Sequence, residues 1–319
     1  MEVKASAPGK VILFGEHAVV YGKPAIAVAV DKRAVIKISE NQEDNIKVYI
    51  NNLNISATLD QKNNQIIMEN GKSGILKYVL EALKMVHDAS PVTIEIDLDI
   101  PIGAGFGSSA AVTVATLAAA SRYNHRKLSR KEIARKAYKV ELNVQNSASP
   151  LDTTISTYGG AVYLSPNAEA IRKLELNWNY PLVIGFTPRK ENTGKLVEKV
   201  RLRKEAYPDI INPLLDAMGI LTETALKSII KKKYSDLGEL MNINHGFLDC
   251  LGVNTRELSN MVYTARKTGA LGAKITGAGG GGSIVALCPE NHLKILKALK
   301  KIEDAVEVNI SQTGLEYID

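Results

Sequence analysis

Pro101-Ile102-Gly103-Ala104-Gly105-Phe106-Gly107-Ser108-Ser109-Ala110-Ala111 joins a segment with the period of a strand to one with the composition of a helix. Upstream, Val92, Ile94, Ile96, Leu98 and Ile100 alternate with Thr93, Glu95, Asp97 and Asp99. This period of two predicts a half-buried strand over 92–100. Downstream, 110–121 is Ala-rich, without Gly, Pro or charge, and predicts a tightly packed helix. A strand, a glycine loop and a helix N-terminus together make an anion site. Glycines let the backbone approach closely, the first amides of the helix have no partner within it, and its dipole favours negative charge.

The spelling excludes two common phosphate loops. A Walker A loop requires G-x-x-x-x-G-K-[ST], whereas Ser108 stands five residues after Gly103 and no lysine follows. A dinucleotide fingerprint requires a third glycine where Ser108 stands. The uncharged run from Ile100 to Ser121 is no bilayer span either, given its loop glycines, its hydroxyl residues and its lack of large apolar side chains. What remains is a phosphate cradle of another kind, with Ser108 and Ser109 available to a phosphate or a metal.

The whole chain sets wider bounds. Its 319 residues suffice for two domains, and 45% apolar with 23% charged residues is ordinary globular composition. A net charge of +6, spread along the chain, suits an anionic small molecule better than nucleic acid, which calls for a concentrated basic and aromatic patch. Aromatic residues make up only 5%, which speaks against an RNA-binding module. Cys250 and Cys288 are too few for a disulfide framework and lack metal-ligand spacing. The beginning MEVKASAPGK has no basic segment followed by an apolar one, so the expectation is a cytosolic chain with no membrane association.

Short strands are expected at 3–7, 11–14, 25–30 and 34–39, with Pro8-Gly9 as a turn that feeds Lys10 into the second. Gly15 and Gly22 bracket Glu16 and His17, an acid and a base in an apolar neighbourhood. The polar stretch 41–71 predicts an exposed hairpin region, and 73–87 has helical spacing. Ser129 and Glu132 form a capping box that opens a helix running to about Val144, with Glu141 near its end. Residues 144–154 then read as non-helical, holding Asp152 after a Ser-Pro turn. Beyond a boundary at 166 come a strand at 182–186, Thr193-Gly194 before a Lys-rich helix, and helices at 214–231 and 237–251. His245, on the last of these, is expected to be packed and not catalytic. Gly277, Gly279 and Gly282 satisfy G-x-G-x-x-G, but this loop runs into a strand at 283–287 and so fails the context of a dinucleotide site. A helix at 292–302 and strands at 306–310 and 315–318 close the chain.

APGKVILFGEHAVVYG at 7–22, PIGAGFGSSAA at 101–111 and KITGAGGGG at 274–282 resemble, in order, the three signature motifs of the GHMP kinase family. The spelling GEHAVVYG is most similar to the members that act on mevalonate. The resemblance implies an α+β, two-domain GHMP kinase fold. Residues 1–166 would resemble ribosomal protein S5 domain 2, and 167–319 would be ferredoxin-like. It further implies ATP as co-substrate, held against Pro101, Gly103, Gly105, Gly107, Ser108, Ser109, Ala110 and Ala111. Mg2+ would lie on Ser109 and Glu141, and catalysis would rest with Asp152 and Lys10. Glu16 and His17 would meet the acceptor, mevalonate, whose C5 hydroxyl takes the γ-phosphoryl group. Many relatives have glycine where Asn146 stands, a departure that touches the loop and leaves both carboxylates. A relative of this kind acting on another small hydroxy acid, and a homodimer, are left open.

Overall fold

The structure is a computed structural model that describes residues 2–318 apart from 62, 72–73, 102–104, 146–147, 177, 179, 189–190 and 192. Its first strand, β1 (Glu2–Phe14), pairs antiparallel with β2 (Ala25–Glu40), and both are longer than the sequence suggests. Pro8-Gly9 is not a turn. The strand runs straight through it, and the register with β2 shifts between Pro8 and Lys10. The irregularity lies on the partner strand, where Arg33 to Ala29 spans four positions opposite the two from Pro8 to Lys10, so β1 itself is not reversed. Gly9 is needed there for approach, because a Cβ on it would lie 2.9 Å from the carbonyl oxygen of Phe106. The polar interval at 31–33 likewise does not break β2, which continues through it to β6.

The polar stretch after β2 forms β3 (Ile46–Ile50), β4 (Ile55–Asp60) and β5 (Gln65–Asn70), the outer strands of the same sheet. Helix α1 (Leu76–Val86) buries Leu76, Val79, Leu80, Leu83 and Val86 on one face. Strand β6 (Val92–Leu98) turns its apolar alternation inward and its polar residues outward, and the glycine loop follows it. Helix α2 (Ser108–Tyr123) is buried from Ala110 to Ser121, and its small side chains let it lie close against β1 and β2. The expected capping box opens α3 (Arg130–Gln145): Ser129 N donates to Glu132 Oε2 at 2.8 Å, and Glu132 N donates to Ser129 Oγ at 3.3 Å.

Residues 150–158 are helical, as α4 (Pro150–Tyr158), so Asp152 sits in the first turn of a helix and not in a loop. Ser149 is its N-cap, accepting from Leu151 N at 3.2 Å, and Pro150 occupies the first helical position. Ser-Pro-x-Asp is thus a helix start, with the acid on the favourable side of the dipole. Strands β7 (Ala161–Leu164) and β8 (Ile171–Leu174) complete this side of the sheet, β7 pairing with β2.

The second sheet starts at β9 (Leu182–Thr187). Four helices follow: α5 (Thr193–Ala206), α6 (Pro208–Ile230), α7 (Tyr234–Cys250) and α8 (Arg256–Lys267). The last is absent from the sequence reading, although Thr255 caps it by accepting from Leu258 N at 3.3 Å. Then come β10 (Gly272–Thr276), β11 (Gly282–Leu287), α9 (His292–Leu299) and β12 (Asp304–Val308). The strand order β10-β11-β9-β12 is antiparallel, which with the intervening helices is the split βαβ arrangement of ferredoxin-like folds. The final strand, β13 (Glu316–Ile318), returns to the first sheet and pairs with β1.

Two of the strands after residue 166, β8 and β13, therefore belong to the first sheet. The largest apolar cluster also crosses between the sheets, taking in Ile36, Ile96 and Val114 on one side and Leu182, Ile184 and Val285 on the other. Among the described residues no helix is long and apolar enough to cross a membrane.

Candidate active site

A cleft of about 360 Å3 lies where β1, the glycine loop, α2, α3 and α4 meet the β10–β11 loop. Gly105, Gly107, Ser108 and Ser109 line it, as do Lys10, Glu16, His17, Glu141 and Asp152. Residues as far apart in sequence as Lys10 and Ala278 thus face one space. Gly103 lies outside the described residues. Pro101, Ala110 and Ala111 do not line the cleft. Both alanines are fully buried, and Ala111 N donates to Gly107 O at 3.1 Å inside the helix, so its amide is not available to a phosphate. The anion-binding end of α2 is the turn at Ser108–Ala110, behind Gly107 in the left-handed region at φ 70°.

Lys10 is held by its backbone and passes the glycine loop closely. Its N–H donates to Phe106 O at 2.7 Å, so β1 is tied directly to the loop where its register with β2 shifts. A Cβ on Gly107 would lie 2.8 Å from Lys10 Cγ, which leaves glycine as the only residue that lets this side chain through. Lys10 Nζ reaches Asp152 Oδ2 at 3.1 Å, the lysine buried and the aspartate about a quarter exposed.

Behind this pair, Ser109 Oγ donates to Glu141 Oε1 at 3.3 Å. Burial pushes the Glu141 carboxyl up to about 8, and the negative charge of Asp152 adds to the shift, against the opposing pull of Lys10 and the Ser109 hydroxyl. Tyr78, on α1, lies against the same group, its hydroxyl pushed up to about 12 by burial and by the Glu141 charge. A buried carboxylate beside a second one and a hydroxyl is short of positive charge. Among the described residues no group of three or more His, Cys, Asp or Glu forms a metal cage. One carboxylate and one hydroxyl at the end of a phosphate loop are nonetheless a donor set that fits Mg2+, which takes few protein ligands and completes its shell with phosphate oxygens and water.

Glu16 and His17 follow Gly15, and both are buried at the edge of the cleft. The Glu16 carboxylate is occupied from the other side. Lys274 Nζ pairs with Oε1, and Asn244 Nδ2 donates to Oε2 at 3.2 Å. His17 adopts φ 58° and its Nε2 lies 2.9 Å from Ala278 O. Thr276 Oγ1 accepts from Ile12 N and donates to Ile12 O, both at 3.0 Å. The third glycine motif therefore runs alongside the first and fastens it at three successive points. Lys274 and Thr276 stand in the motif at 274–282 but nothing local signals their partners, and Asn244, in a helix, carries no signal at all. Thr193 lines the cleft as well, at the N-terminus of α5, as does Gln145 at the end of α3. His245 is packed and no part of the cleft. Its imidazole is pushed down to about 4 by burial and by the charges of Arg266 and Lys274.

Comparison with known proteins shows the family of the chain. The model of the GHMP kinases N-terminal domain matches residues 74–160, and that of the GHMP kinases C-terminal domain matches 225–305. The chain is 44% identical over 315 residues to the mevalonate kinase of Methanothermobacter thermautotrophicus, covering 99% of this chain and 100% of the relative. It is also 44% identical to the mevalonate kinase of Thermococcus sibiricus, covering 100% and 99%. Among solved structures, the Methanococcus jannaschii mevalonate kinase superposes with a TM-score of 0.82 at 34% identity, over 97% of this chain and 98% of that one. The L. major mevalonate kinase in complex with R-mevalonate gives 0.80 at 26% identity, over 96% and 95%.

Proposed function

Because the chain belongs to the GHMP kinase family, we propose that it transfers the γ-phosphoryl group of ATP to the C5 hydroxyl of (R)-mevalonate, giving 5-phosphomevalonate for isoprenoid biosynthesis. The observation that carries this reading is the Lys10–Asp152 pair at 3.1 Å, in one cleft with the N-terminus of α2 and the Ser109–Glu141 pair.

Phosphoryl transfer asks a protein for placement and for charge, with little covalent participation. The amides of Gly105 and of the first turn of α2 hold phosphate oxygens at the positive end of the helix dipole. Ser109 and Glu141 would hold Mg2+, which neutralises charge on the β- and γ-phosphate oxygens when bound. Asp152 accepts a hydrogen bond from the C5 hydroxyl and aims its oxygen at the γ-phosphorus. As the new P–O bond forms, the bond from the γ-phosphorus to the bridging oxygen breaks, ADP leaves, and the hydroxyl proton passes to Asp152. Lys10 pairs with Asp152 at 3.1 Å and offsets negative charge on the acceptor oxygen. His17 and Glu16 face the acceptor end of the cleft, Glu16 braced by Lys274 and Asn244.

An acceptor panel tests the reading. ADP release is measured with mevalonate, 5-phosphomevalonate, homoserine and galactose, and the product is read by phosphorus NMR. Mevalonate is expected to give the highest kcat/KM, with phosphate on C5. A higher value with any other acceptor contradicts the assignment.

A further inference from the structure

A second cavity, of about 500 Å3, opens beside α4 and outside the cleft. Pro150, Thr153 and Thr154 line it, while Asp152, between them on the same helix, lines the cleft. Its walls are otherwise Ala134, Val162 and Ile171 with the rings of Tyr138 and Tyr158. Ile171 is 45% exposed, a large apolar side chain left facing water at this groove. The charges here are all of one sign. Lys131 and Arg135 lie one turn apart on α3, Lys173 faces them from β8, and no carboxylate is among the lining residues. Among the described residues, none of the three cations makes a close ion pair with an acid, although Glu132 on α3 acts on Arg135 through space.

We propose that this groove is a second binding site, for a small amphipathic anion. The hydrocarbon body lies against Ala134, Val162 and Ile171, and the anionic head lies among Lys131, Arg135 and Lys173. An apolar hollow of this size with a few convergent charged groups has the form of a ligand site, and its polarity selects the ligand. An uncharged hydrocarbon leaves the three cations unpaired, and a cation is repelled by them. A phosphate or carboxylate head gains charge-assisted hydrogen bonds.

The groove is also coupled mechanically to the cleft. Tyr138 Oη donates to Ala148 O at 3.5 Å, and Ala148 and Ser149 line the cleft just before α4. A ligand that engages Tyr138 and the outer side of α4 therefore bears on the placement of Asp152. Its effect falls on kcat and not on KM for ATP, since the nucleotide is held by the glycine loop and α2.

Calorimetric titration of the full chain tests the site without reference to turnover, so its outcome is separate from that of the acceptor panel. The chain is first saturated with ADP and mevalonate, then titrated with octyl phosphate, octanoate, octanol and octyltrimethylammonium below their micelle concentrations. At least one of the two anions is expected to bind, and to bind at least tenfold more tightly than the alcohol or the ammonium. Whichever anion binds more tightly identifies a phosphate or a carboxylate head. The triple variant Lys131→Glu, Arg135→Glu, Lys173→Glu is expected to lose at least tenfold in that affinity while keeping its basal kcat. Octanol binding as tightly as the anions, no binding by either anion, or full affinity in the triple variant each overturns the proposal. An unchanged kcat at saturating octyl phosphate overturns the coupling to Asp152.

Discussion

At the scale of single residues, the account turns on two pairs, Lys10 with Asp152 and Ser109 with Glu141. Asp152→Asn keeps size and hydrogen bonding and removes the charge and the basicity. Such a group contributes about 10²–10⁴-fold to rate. The variant's kcat is expected to fall by that order while KM for ATP stays near its original value. Lys10→Met is expected to lower kcat as well, and the double variant to lose less than the sum of the two in free energy, because each residue acts through the other. Full additivity in steady-state kinetics would show that the 3.1 Å contact has no part in the reaction. Glu141→Gln is expected to shift the magnesium titration of activity to higher concentrations and to leave KM for mevalonate little changed. An unaltered titration removes Glu141 from the metal site.

At the scale of elements, α4 is the part on which the site depends, since it carries Asp152 between two cavities. Loss of the Ser149 cap, as in Ser149→Ala, is expected to cost about 0.5–2 kcal/mol of stability, read as a lower urea midpoint. It is also expected to lower kcat, because the first turn that frays is the one holding Asp152. A stability loss with kcat intact would place Asp152 outside that turn's control. The same helix shows what was legible in the sequence. Strand β6, α2 and the capping box of α3 were readable, because periodicity and local hydrogen bonding fix them over a few residues. Ser149-Pro150-Leu151-Asp152 carries equally local signals, a cap, a proline at the first helical position and an early acid, yet a Ser-Pro pair also reads as a turn. At Pro8-Gly9 a local turn signal lost to long-range strand pairing with Arg33 and Ala29 on either side of the bulge. Glu16 and Lys274 were each readable within a motif, while their pairing across more than 200 residues, and the contact with Asn244, were not.

At the scale of the molecule, we propose that the division at 166 marks where the chain leaves the first sheet's main body, with β8 and β13 as returns to it. The contacts that close the cleft all join these two regions: Ile12 to Thr276, Glu16 to Lys274 and His17 to Ala278. His245 lies behind them, near Lys274, and its depressed pKa gives the joint a pH limit. The folded state disfavours the protonated imidazole, so an unfolded chain binds the proton more readily between the ordinary value near 6.5 and the folded value of about 4. His245 therefore contributes fully to stability above about 6.5 and loses that contribution as the pH falls towards 4. His245→Gln is expected to be less sensitive than the parent chain over that window in urea melts, and equal slopes would contradict the shift. The most direct measurement of the whole account is a structure of the ternary complex with mevalonate and a non-hydrolysable ATP analogue. It is expected to place the C5 hydroxyl oxygen about 2.6–3.2 Å from an Asp152 carboxylate oxygen and facing the γ-phosphorus, with the triphosphate along Gly105–Ser109. A C5 hydroxyl turned away from Asp152, or a triphosphate bound elsewhere, would contradict it.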